Sequence, residues 1–113
     1  MRLALILAFA ALPSIACAKP ARCLIEVDGK AYLFGQCNAE RRKDGSLTVG
    51  MVDTGPPSPY FASVSVDPDG PAEGFWNEEP RASHAQTPLG AMKQSGGCWL
   101  NKRAKVCAWP AQR

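Results

Sequence analysis

No two cysteines in this sequence stand in a Cys-x-x-Cys arrangement, and there is a single histidine, His84. The first absence removes the usual motif of thiol–disulfide catalysis. The remaining cysteine intervals also lack the closely paired spacing of a zinc site. The second absence forces any Ser-His-acid or Cys-His scheme through His84, which sits beside Ser83 in an irregular stretch with no strained nucleophile motif nearby. Nowhere after the first twenty residues do apolar side chains recur at helical spacing for more than about two turns, which argues against a helical bundle. Charge is not dominated by one sign: Lys and Arg number 13, Asp and Glu 10, for a formal net charge of +3. That balance is not a nucleic-acid signature. No metal, cofactor or catalytic residue is expected.

What is present begins with "MRLALILAFAALPSIACAKP". Arg2 supplies a positive start, Leu3 to Leu12 are apolar without interruption, and Ala16-Cys17-Ala18 offers a cleavage site. A membrane-spanning helix needs about 20 apolar residues, so this run is too short for a stable span and reads as an export signal covering residues 1–18. "SIAC" also loosely resembles a bacterial lipobox, which makes lipid anchoring at Cys17 a minor alternative. The expected location is periplasmic or secreted, with residues 19–113 as one domain.

Cys23, Cys37, Cys98 and Cys107 then remain, an even count that in an exported chain reads as two disulfides. Four cysteines allow three connectivities. A turn centred on Lys102-Arg103 sets Asn101 opposite Ala104, Trp99 opposite Val106 and Cys98 opposite Cys107, close enough to bridge. Lys-Arg is poor chemistry for a two-residue turn, so a four-residue loop in the same register is preferred. Trp99 and Trp109 fall on opposite faces of this hairpin, so at most one can sit beside the disulfide in the core. Asp28-Gly29 is a hairpin signal that sets Cys23 opposite Phe34, and a bend at Gly35 would fold Cys37 back onto Cys23. The pairing 23–37 with 98–107 is favoured, crossed pairs between the chain ends being the rival.

Short apolar runs punctuated by Gly, Pro, Asn and Asp recur along the rest of the chain. Expected strands are Cys23–Val27, Lys30–Phe34, Leu47–Val52, Tyr60–Val66, Glu73–Trp76, Leu89–Lys93, Cys98–Asn101 and Lys105–Trp109. "DTGPPSP" and "DPDGP" read as turns, because proline supplies no ladder N–H. Asp67 and Asp69 begin like a calcium loop but lack its later ligands. Residues 77–88 form the least regular segment. The fold expected is all-β: a small antiparallel barrel or sandwich of seven to eight strands closed by its two ends.

Basic side chains cluster at "ERRKD", residues 40–44, and "NKRAK", residues 101–105. Arg41, Arg42, Lys43, Lys102 and Arg103 are therefore binding candidates for an acidic partner. Strand alternation places half or more of the aromatics in the core, and those left outside beside polar residues are the usual anchors of recognition. Trp76 and Trp99 are candidates on that ground.

The run "CLIEVDGKAYLFGQC", with "DGSLTVG", "PYFASV", "GFWNEEP", "TPLGAM" and "GGCWLNKRAKVCAW", resembles a group of short exported bacterial proteins of unassigned function. In architecture alone the chain is similar to the periplasmic inhibitors of C-type lysozyme, which present a serine and a basic residue to the carboxylates of the enzyme. That similarity implies such parts for Ser46 beside Arg42 and Lys43, or for the Lys102-Arg103 turn. The expectation is an exported, non-enzymatic binding module of the bacterial envelope that contacts an acidic protein or a cell-wall glycan. An envelope structural or stress protein without a dedicated ligand is the alternative.

Overall fold

The computed structural model describes residues 19–50 and 58–111. The expected export signal, Cys17, and the Met51-Val52 and 53–57 part of the expected strand and turn lie outside these residues. Eight strands follow in chain order: β1 Lys19–Val27, β2 Lys30–Arg41, β3 Leu47–Val49, β4 Ala62–Ser65, β5 Ala72–Trp76, β6 Thr87–Ser95, β7 Cys98–Leu100 and β8 Ala104–Pro110. Each pairs antiparallel with its neighbour in sequence, and β1 also pairs with β8, so the sheet is a closed barrel with the simplest up-and-down order. Closure pairs every strand on both sides over part of its length, while Lys30–Cys37 of β2 are paired on the β1 side alone among the described residues.

Alternation fills the interior. Ile25, Leu47, Val49, Val64, Leu89 and Val106 are fully or almost fully buried, with Trp76 and Trp99 beside them. An eight-stranded barrel is just wide enough to be packed by side chains, and this one is packed by branched and aromatic residues. The four-residue loop 101–104 appears in the expected register, with Leu100 opposite Lys105 and Cys98 opposite Cys107. Asn101 makes that loop possible without a turn glycine. Its Oδ1 accepts the backbone N–H groups of Arg103 and Ala104, both at 2.8 Å, while its Nδ2 donates to the carbonyls of Leu89 and Ala91.

Both disulfides take the favoured pairing, Cys23–Cys37 and Cys98–Cys107. The route to the first differs from the expected one. The chain does not bend back at Gly35; β2 runs on through it for twelve residues, to Arg41. A bulge lies between Ile25 and Glu26, which face Leu33 and Ala31 and leave Tyr32 as the extra residue. The one-residue shift sets Cys23 opposite Gly35 instead of Phe34, and Cys37 opposite Ala21. Because side chains alternate, the same shift turns Cys37 inward to meet Cys23 and turns Phe34 outward.

The connections sort into two ends. One end carries the β1–β2, β3–β4, β5–β6 and β7–β8 connections. The other carries β2–β3, β4–β5 and β6–β7, together with the start of β1 and the end of β8.

Candidate functional site

Chain direction separates the two basic clusters. Lys102 and Arg103 stand at the first end, Arg41, Arg42 and Lys43 at the second, so no single surface combines them. Arg41 lies opposite Leu47 and shares its inward face, and its guanidinium reaches across the barrel end to donate to the carbonyls of Gly97 and Ala108. It caps the core. Arg42 pairs with Glu40 at 3.7 Å, and Lys43 is exposed. Arg103 donates to Asp28 Oδ1 and to the Pro88 carbonyl, both at 3.2 Å, tying two turns to the start of β6, while Lys102 stands exposed beside it.

Three other candidates lie inside. Trp76 packs against Tyr32 and Tyr60 at the first barrel end, with ring centroids 4.7 and 5.9 Å away. Trp99 is buried, and its indole N–H donates to the Gly45 carbonyl at 3.0 Å. Neither is a surface anchor. Inward-facing positions of a small barrel need volume, and tryptophan supplies most of any residue. Ser46 is buried too, and its Oγ accepts the Val66 N–H at 3.0 Å, which leaves it unable to meet a partner as the inhibitor similarity implied.

Ser46→Ala is expected to lower the unfolding free energy by about 1–2 kcal/mol, measured by urea denaturation, because the Val66 N–H loses its acceptor. Ser46 also acts on its neighbour. Its backbone N–H, then its hydroxyl, hold the exposed Asp44 carboxyl below the ordinary value of 3.8, with Arg42 assisting. A depressed folded value means that the contribution is present above the unfolded pKa and is lost as pH falls through the folded one. Wild type should therefore lose stability below about pH 4 by an increment that Asp44→Asn does not show.

The irregular segment between β5 and β6 encloses an open concavity of about 550 Å³ lined by residues including Asn77, Glu78, Ser83, His84 and Thr87. Asn77 holds the segment in shape: its side chain accepts from Phe61 N–H and donates to the carbonyls of Pro59 and Ala82. Ser83 Oγ and His84 Nδ1 lie 3.1 Å apart, whereas the Glu78 carboxylate is engaged by the Thr87 hydroxyl. Among the described residues no carboxylate meets the imidazole, so the ring lacks the group that orients a general base. The Asp67-Pro68-Asp69-Gly70 stretch is a turn closed by its own hydrogen bonds, Gly70 N–H to Asp67 O and Asp69 N–H to Asp67 Oδ1.

The exposed large hydrophobic side chains among the described residues lie elsewhere, on the outer face of β2 and β8 with β1 between them. Phe34 is 68% exposed and Trp109 38%. Cross-strand register joins them: Phe34 lies opposite Leu24, and Leu24 opposite Cys107; Gln36 lies opposite Arg22, and Arg22 opposite Trp109. The Arg22 guanidinium carbon stands 5.9 Å from the centroid of the Phe34 ring. The Cys98–Cys107 bridge lies on this outer face with Trp109, while Trp99 faces the interior, so the two tryptophans take opposite faces as expected. Trp109 also crosses close over Gly97, where an added Cβ would stand 2.9 Å from the indole ring.

Sequence reasoning did not single out Phe34 or Trp109. Alternation had already placed Trp109 opposite in sense to Trp99, and that was the available signal. Phe34 had none, since the turn at Asp28-Gly29 puts it inside unless Tyr32 is bulged out of register. The chain matches no family model, no curated protein and no solved structure.

Proposed function

We propose that the chain is an exported, non-enzymatic binding module of the bacterial envelope that meets its partner with the outer face of β2, β1 and β8. The observation carrying this reading is the exposure of Phe34 within a patch continued by Leu24 and Trp109. Clustered exposed apolar groups on a soluble domain mark surfaces that another molecule covers. The two disulfides are compatible with an oxidising compartment. Recognition falls to the exterior because core side chains occupy the interior. Strands braced by the Cys98–Cys107 bridge hold the aromatics in place before contact, which lowers the ordering cost of binding.

The test is retention of the purified mature chain on bacterial envelope fractions. Phe34→Ser with Trp109→Ser should reduce retention about tenfold or more, the loss expected from truncating central aromatic anchors. Lys43→Glu and Lys102→Glu, at the two barrel ends, should leave it unchanged. Equal retention of all variants, or none by wild type, overturns the proposal.

A further inference from the structure

We infer that the partner is an acidic polypeptide segment, one that sets a carboxylate against Arg22 and an apolar side chain on Phe34 and Trp109. This rests on the binding face proposed above and names what covers it.

The charge pattern around the barrel supplies the argument. Outward positions on and next to the patch strands carry Arg22, Lys105 and Lys93 against Glu26 and, at the far end of β2, Glu40, which Arg42 already pairs, with Lys105 opposite both Glu26 and Leu100, and Lys93 opposite Leu100. Outward positions of β3, β4 and β5 hold Thr48, Ser63, Ser65, Glu73 and Phe75, and none is basic. The half that carries the patch thus has a net positive charge, while the other is neutral to acidic.

The cations of this half are also uncommitted. Ion pairs among the described residues are Arg42–Glu40 and Arg103–Asp28, both outside the patch. Arg22 makes neither an ion pair nor a hydrogen bond among them. Packed over the Phe34 ring, a guanidinium keeps its N–H edge for a planar bidentate acceptor, and a carboxylate has that geometry. An acidic side chain beside an apolar one would satisfy the edge and cover the ring together.

A second copy of the chain fits less well. Two-fold docking through this face would set one net positive patch against another. A neutral glycan would use the rings but leave the cations without a counter-charge.

The experiment uses immobilised poly(Glu,Tyr) as probe, with poly-L-glutamate, poly(Lys,Tyr) and chitotriose for comparison. Wild-type mature chain should bind poly(Glu,Tyr) more tightly than poly-L-glutamate, and far more tightly than the other two, with affinity falling as salt rises. Arg22→Gln and Phe34→Ser should each weaken that binding about tenfold, and Arg22→Lys by less, because it keeps charge but loses the bidentate fork. Thermal melts confirm folding, and Lys105→Gln, at a fully outward position, gives a second charge test if Arg22→Gln does not fold. Unchanged binding by Arg22→Gln and Lys105→Gln, or preference for chitotriose or poly(Lys,Tyr), overturns the acidic partner. If the Phe34/Trp109 variant still loses envelope retention in that case, the binding face stands and only this inference fails. Loss of neither overturns both.

Discussion

Trp76→Ala is expected to lower the unfolding free energy by about 3–5 kcal/mol, the largest effect of any single substitution proposed for this chain. The indole is 3% exposed and closes one end of the barrel with Tyr32 and Tyr60, whose rings lie 5.2 Å apart. Removing it takes away the ring on which both tyrosines pack. A domain of this size is stable by about 5–15 kcal/mol, so the loss would be a large share of the whole. Trp76→Phe should be much milder, about 1–2 kcal/mol. The indole N–H is buried without a hydrogen-bond partner among the described residues, and phenylalanine removes that unmatched donor while keeping most of the apolar contact. Urea denaturation of the three proteins makes the comparison. If alanine and phenylalanine prove equally costly, the aromatic cluster is not what closes this end.

The second large effect is loss of the inner disulfide. Cys23→Ala with Cys37→Ala frees a loop with a sequence separation of 14. Chain entropy alone puts the cost at about 3 kcal/mol. The outer Cys98–Cys107 bridge, with a separation of 9, should cost slightly less, near 2.7 kcal/mol on the same reasoning. A further difference comes from location. Cys23 and Cys107 are equally buried, but Cys23 belongs to the core cluster inside the barrel, so its truncation also loosens the interior packing, whereas Cys107 lies on the outer face. The melting temperature of the inner-pair variant should fall by roughly 10–20 °C. A greater loss on removing the outer pair would show that the terminal hairpin, not the interior bridge, carries the domain.

Much of this architecture could be read locally. Asp28-Gly29 announced a hairpin because both turn positions need positive φ, which aspartate and glycine tolerate; their φ values are 53° and 83°. The hairpin from Cys98 to Cys107 was legible because a count of residues across a short loop settles which side chains oppose. The Cys98–Cys107 pairing followed from such a count, whereas Cys23–Cys37 was favoured on a bend at Gly35 that the folded chain replaces with a bulge. Proline placed the Asp67–Pro71 turn, and alternation placed most strands within a few residues of their ends, β2 excepted, which runs seven residues past Phe34 to Arg41.

The candidate site was much less legible, and the reasons differ from residue to residue. Ser46, Trp76 and Trp99 looked available because a sequence shows neither the Val66 N–H that one must satisfy nor the interior volume that the others must fill. Arg41 looked like a free cation because its carbonyl partners, Gly97 and Ala108, lie more than fifty residues away along the chain. The two basic clusters read as one theme until strand direction sent them to opposite ends.

The amino-acid order by itself determined an all-β chain with its cysteines positioned for two bridges, since alternation, turn chemistry and short-range counting act over a few residues and need no distant partner. Which face each side chain takes after Tyr32 was decided only in the folded barrel. A single bulged residue reverses every inward and outward position beyond it on β2, and Tyr32 at that bulge packs with Tyr60 and Trp76, residues brought near only when the sheet closes. That one register shift both seals Cys37 against Cys23 and leaves Phe34 on the surface, so the recognition face is a product of closure and not of any local pattern.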